Sequence, residues 1–102
     1  MDINETLAVV TGAGSGIGRA LACRLVAAGA RFVVCTDIDA DAARETANLI
    51  GSKASAEILD VADQAAIEDL VKRVESAHGG IDIFVSNAGY ARGGGLKLDT
   101  DQ

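Results

Sequence analysis

Four glycines and two hydroxyls share eight residues, Thr11-Gly12-Ala13-Gly14-Ser15-Gly16-Ile17-Gly18, between the apolar run Leu7 to Val10 and an amphipathic pattern that begins at Ile17. A strand ending in close-set glycines turns sharply and brings its backbone against an anion with no Cβ in the way. It also aims the first N–H groups of the next helix at negative oxygens. The chemistry implied is a grip on a diphosphate. The spacing is G-x-x-x-G-x-G, distinct from the common G-x-G-x-x-G of dinucleotide folds, and it is not a P-loop, because Arg19-Ala20 follows Gly18 where a Lys and a hydroxyl would be needed. One or two glycines would suit an ordinary tight turn. Four of them, with a strand before, a helix after and an acid further on, point to a dinucleotide.

That acid is Asp37, at the end of Phe32-Val33-Val34-Cys35-Thr36 and 19 residues after Gly18. The spacing matches a carboxylate that accepts hydrogen bonds from an adenosine ribose, and its charge repels a 2′-phosphate, so NAD is expected over NADP. Asp37 would otherwise serve as a helix N-cap, but Asp39 is better placed to cap a helix from Ala40. A register slip of one residue would put Thr36 at the ribose instead.

The elements that must position these groups alternate β and α with no linker or repeat. Strands are predicted near 7–11, 31–37, 55–60 and 81–86, and helices near 17–28, 40–50 and 64–78. Helical connections force parallel pairing, and right-handed crossovers give a doubly wound Rossmann-type α/β sheet of order 3-2-1-4 between helical layers, with the glycine loop where the order reverses. Ile17, Leu21, Leu25 and Ala28 mark the buried stripe of the first helix, which stops at Gly29; the second stops likewise at Gly51. Ile67, Leu70, Val71 and Val74 mark the third, with Asp63 as N-cap.

Together, the loop Thr11-Gly12-x-x-x-Gly16-Ile17-Gly18, the pair Asp60-Val61 and the tripeptide Asn87-Ala88-Gly89 resemble the N-terminal half of the short-chain dehydrogenase/reductase family, from about Leu7 to Gly95. The resemblance implies that Gly12, Ser15, Gly16, Ile17 and Gly18 cradle the pyrophosphate and nearby ribose. It implies that Asp60 and Val61 meet the adenine, and that Asn87, Ala88 and Gly89 lie at the tip of the fourth strand beside the nicotinamide-side ribose. Taken singly, Asp60 reads as a loop acid and Asn87-Ala88-Gly89 as a turn.

Members of that family catalyse with Tyr-x-x-x-Lys and a partner Ser beyond the Asn-Ala-Gly strand. Here Tyr90 is the only tyrosine, and Gly94 stands four residues after it. Hydride transfer to or from a carbonyl leaves charge on oxygen and needs an acid/base with a nearby cation. The 102 residues are therefore expected to be the cofactor-binding half of a single domain whose catalytic half is absent, inactive alone, with no catalytic residue of its own. An alcohol or carbonyl substrate and a homo-oligomer are expected of a full-length parent. Two other readings remain: a dinucleotide-binding module without turnover, and an S-adenosylmethionine-dependent methyltransferase, which also uses a glycine-rich first loop and an acid after strand 2.

A net charge of −6 with no basic run argues against nucleic acid, which needs clustered Lys and Arg. No stretch approaches a membrane span, and Met1-Asp2-Ile3-Asn4-Glu5 is no signal peptide, so a cytoplasmic protein is expected. Cys23 and Cys35 read as buried reduced thiols, without the spacing or His partners of a metal site. Aromatics make up only 3%, so the core must be Ala, Val, Ile and Leu. His78 is expected to complement a helix dipole or face water; Arg19, after the last glycine, is placed to neutralise phosphate, but surface solvation is favoured for it. The acidic helix faces are read as solvated, and Gly93-Gly94-Gly95 as a mobile loop near a substrate. The fourth strand, lacking later neighbours, should be an exposed edge that leaves the isolated chain marginally stable or prone to aggregate.

Overall fold

The computed structural model describes residues 2–87. Ala88, Gly89, Tyr90 and Gly93 to Gly95 lie outside the described residues. The chain runs β1 (Leu7–Val10), α1 (Gly16–Ala27), β2 (Phe32–Asp37), α2 (Ala40–Ile50), β3 (Ala54–Ile58), α3 (Gln64–His78) and β4 (Ile83–Val85). All strand pairs are parallel and the order is β3-β2-β1-β4.

The alternation of side chains along β1 divides the core. Ala8 and Val10 join Val33 and Cys35 of β2 beneath Ala22 and Leu25 of α1, while Leu7 and Val9 join Val34 beneath Leu70 and Val74 of α3. Every residue of β1 is fully buried, as a central parallel strand covered on both faces requires. With Ala at many core positions, helices and sheet approach closely. The third strand starts one residue earlier than expected and ends two sooner. The fourth is shorter than 81–86, with Phe84 40% exposed on it.

Helix boundaries follow local chemistry. The Asp39 side chain accepts from the amides of Asp41 and Ala42, and Asp63 accepts from Ala66, so both act as the N-caps expected of them. α1 ends in a Schellman turn: Gly29, at φ 109°, donates to Val26 O and Ala30 donates to Leu25 O. The stripe assigned to α1 needs correction at both ends. Ile17 is 71% exposed and Ala28 is exposed, because side chains in a first helical turn project back over the helix N-terminus and miss the sheet, and Ala28 is the C-cap. His78 stands in the last turn of α3, as the dipole reading expects, and, half-buried, it also stacks on Phe32 with ring centroids 4.3 Å apart.

Cys35 lies fully buried in β2. Burial, with a smaller contribution from Cys23, pushes its thiol up from 9.0 to about 11. The thiolate is the reactive form, so iodoacetamide at pH 8 is expected to label half-buried Cys23 in the native protein and to reach Cys35 only after denaturation. Because the folded value lies above the unfolded one, the neutral thiol stabilises the fold fully below about pH 9. That contribution, on the order of 2–3 kcal/mol, falls away as pH rises through 11. Mass spectrometry of the labelled protein checks the first statement, and melting curves from pH 8 to 11 check the second.

Candidate functional site

The glycine loop leaves the carboxyl end of β1 where neighbours diverge, β2 to one side and β4 to the other. Both sides hold it. Thr11 donates through its amide (2.9 Å) and hydroxyl (3.1 Å) to Val85 O, and its hydroxyl oxygen accepts from the Asn87 amide at 2.6 Å. On the β2 side, Ala13 N–H donates to Thr36 O at 2.9 Å, and Gly14 N–H donates to Asp37 Oδ2 at 2.9 Å. The loop therefore continues the sheet before the helix begins.

Ser15 is the N-cap of α1, yet its side chain makes no cap hydrogen bond, and the first turn carries no acid. The amides of Gly16, Ile17 and Gly18 belong to that first turn and have no partner within the helix. Exposed Gly16, at φ +56°, has nothing within 4 Å of where a Cβ would lie, so the space before the helix end is open. Gly18 is the opposite: a Cβ there would fall 1.9 Å from the Gly12 carbonyl oxygen and 2.8 Å from Asn87 Nδ2. Its bareness lets α1 sit on the loop, and Asn87 Nδ2 in turn reaches Gly12 O at 3.5 Å.

Thr36 and Asp37 differ in burial. Thr36 is fully buried and its hydroxyl donates to Val10 O at 3.1 Å, whereas Asp37 is half-buried and reaches the loop. Its second oxygen accepts from Asp39 N–H at 3.0 Å. Exposed Asp60 follows β3 and accepts from the Ala62 amide at 2.9 Å, while Val61 packs against the core under α3. Thus Gly12, Ser15, Gly16, Ile17, Gly18, Asp37, Asp60, Val61 and Asn87 all lie at or beyond the carboxyl ends of strands. Ala88 and Gly89 are beyond the described residues.

Arg19 is not the solvated residue expected. Its Nε donates to Thr46 Oγ1 at 2.9 Å, and one Nη donates to Gly14 O at 2.7 Å and to Glu45 Oε1 at 2.8 Å. Thr46, fully buried in α2, donates to Ala13 O at 2.7 Å. Neither side chain was singled out for the site from sequence, although Thr46 stands beside Ala43 and Ala47 on the face of α2 that is buried, where a hydroxyl needs a partner. The acidic helix faces are exposed, as expected, and carry surface pairs: Asp41 with Arg44, Glu45 with Arg19 and Asp69 with Arg73, while Glu75 accepts the Ile81 amide.

A parallel sheet whose order reverses at β1, with a glycine-rich turn and an open helix N-terminus at that point, is a doubly wound Rossmann-type fold, which takes dinucleotides in this crevice. The residues present fit such a ligand, since the open space at Gly16 faces first-turn amides that no side chain caps. Residues 6–102 match the family described as short chain dehydrogenase. The chain belongs to that family.

Galactitol 2-dehydrogenase of Agrobacterium fabrum is 46% identical over 88 residues, which cover 86% of this chain and 34% of that one. The 3-oxoacyl-acyl-carrier-protein reductase of Salmonella typhimurium is 38% identical over 92 residues, covering 90% and 37%. Among solved structures, a 3-ketoacyl-(acyl-carrier-protein) reductase from Brucella melitensis complexed with NADH superposes with a TM-score of 0.79 at 38% identity, covering 85% of this chain and 36% of that one. The chain spans about two fifths or less of the length of the curated relatives it matches. Among the described residues, no helix is long and apolar enough to cross a membrane.

Proposed function

We propose that residues 1–102 are the cofactor-binding half of a short-chain oxidoreductase domain and take NAD in preference to NADP. The observation that carries this reading is the uncapped first turn of α1 beside a loop whose Gly14 amide is tied to the Asp37 carboxylate. First-turn amides of Gly16, Ile17 and Gly18, with Gly12 and Ser15, receive the pyrophosphate. Asp37 accepts from the adenosine ribose and repels a 2′-phosphate. Asp60 and Val61 bound the adenine, and Asn87, Ala88 and Gly89 meet the second ribose.

The bound dinucleotide supplies hydride chemistry at its nicotinamide ring. The proton carrier for an alcohol or carbonyl substrate comes from outside these 102 residues, so the chain alone binds without turning over. The full protein is a homo-oligomer in this reading. Its free thiols, Cys23 and Cys35, suit a reducing compartment such as the cytoplasm.

Fluorescence titration of the folded chain tests the proposal. NADH is expected to bind saturably, NADPH at least tenfold more weakly, and S-adenosylmethionine is expected not to compete. Failure of both dinucleotides to bind a folded sample overturns the reading, and tight S-adenosylmethionine binding in their place installs the methyltransferase alternative. Turnover by the chain itself would refute its inactivity.

A further inference from the structure

We propose that Thr46 of α2, together with Arg19 of α1, is a positioning residue that sets the glycine loop in its ligand-receiving conformation before any dinucleotide arrives. The inference rests on the dinucleotide reading above.

The loop's central peptide unit, between Ala13 and Gly14, is held at both ends, and the units on either side of it are each held at one. The amides of Ala13 and Gly14 are drawn to β2, one to Thr36 O and the other to Asp37 Oδ2, each at 2.9 Å. Their carbonyls are drawn the other way, Ala13 O by the Thr46 hydroxyl at 2.7 Å and Gly14 O by Arg19 at 2.7 Å. Thr46 has one proton, and Ala13 takes it; its lone pair takes the Arg19 Nε proton at 2.9 Å. Glu45, next to Thr46, accepts from the Arg19 Nη that also serves Gly14, so the guanidinium is steadied by a carboxylate.

The spacing of α2 completes the rest for the loop. Ala42 and Thr46 are one helical turn apart, and a Cβ on Gly14 would meet the Ala42 Cβ at 2.5 Å and Asp37 Oδ2 at 2.7 Å. Gly14 thus lies flat against α2, Thr46 reaching the peptide before it. A segment with four glycines in seven residues, Gly12 to Gly18, has the most backbone freedom to lose on binding, and fixing its central peptide planes in advance removes part of that loss. The amides of Gly16 to Gly18 follow these planes directly. Disordering the planes misaims the amides.

Thr46→Val keeps the shape of the side chain and removes the hydroxyl; Thr46→Ser restores it. In the ligand-free chain, hydrogen exchange at the Gly14 amide is expected to speed up about tenfold in Thr46→Val and to return near the wild-type rate in Thr46→Ser. NADH is expected to bind Thr46→Val about tenfold more weakly. Adenosine, which makes no diphosphate contact, is expected to bind all three proteins within twofold. Unchanged exchange and unchanged NADH affinity in a folded Thr46→Val overturn the inference while leaving the dinucleotide reading intact. Equal loss of NADH and adenosine affinity also overturns it, as general loosening of the fold. Wild-type chain that binds no dinucleotide removes both readings. Should Thr46→Val not fold, Arg19→Met at the half-buried partner is measured instead, with about fivefold weaker NADH binding expected and wild-type affinity as the refuting result.

Discussion

Gly18→Ala is expected to abolish measurable NADH binding and to lower the melting temperature by roughly 12 °C or more. The added Cβ would lie 1.9 Å from the carbonyl oxygen of Gly12 and 2.6 Å from its carbon. Both are backbone atoms, so no rotamer change relieves the overlap, and α1 must lift from the loop. Overpacking of this kind costs about 3 kcal/mol or more, and a domain of this size loses about 4–8 °C per kcal/mol. Lifting α1 also displaces the first-turn amides and disturbs the reach of Asn87 to Gly12.

Gly16→Ala is the matched control for stability, because Gly16 itself belongs to the proposed pyrophosphate cradle. In the ligand-free chain its Cβ has open space and meets only the strain of a left-handed backbone at φ +56°, about 1–2 kcal/mol. Calorimetry of the two variants checks that contrast, and NADH titration follows Gly18→Ala. A Gly18→Ala protein that melts and binds like wild type would show that α1 does not rest on the loop as described.

Asp37→Asn is expected to weaken NADH about thirtyfold and to collapse the discrimination against NADPH. Both carboxylate oxygens act as acceptors, one for Gly14 N–H and the other for Asp39 N–H. An amide side chain offers a single acceptor, so one of those donors would face an NH2 group. On the dinucleotide reading the variant also exchanges a charged ribose acceptor for a neutral one, a loss of about 2 kcal/mol for a hydrogen bond to an ionised group. The repulsion felt by a 2′-phosphate disappears with the charge. Paired titrations with NADH and NADPH give the ratio directly. A ratio unchanged from wild type would remove Asp37 from the role of selecting the sugar.

The architecture was legible because its signals are local. Glycine spacing, β-branched runs and capping acids each act within a few residues, and right-handed crossover then leaves few strand orders to choose from. The loop and the carboxylate of the site were legible for the same reason. What the pattern missed depends on partners distant in sequence. Thr46 meets Ala13 across 33 residues and Arg19 across 27, and no periodicity announces a hydroxyl's partner on another element. Ile17 was read as core because its spacing to Leu21 is helical, yet a residue in the first turn sits beyond the sheet it should cover. His78 took an aromatic partner, Phe32, that lies one strand and two helices earlier.

The parallel register has a consequence for synthesis. β1 gains its second neighbour only when Ala8 meets Ile83, and Thr11 gains Val85 and Asn87 at separations of 74 and 76 residues. A nascent chain therefore carries its central strand half-paired until Ile83 to Val85 have emerged, because loop closure over such a span must precede the contacts that reward it. Among the described elements, the phosphate-binding turn is completed last although its residues are made among the first.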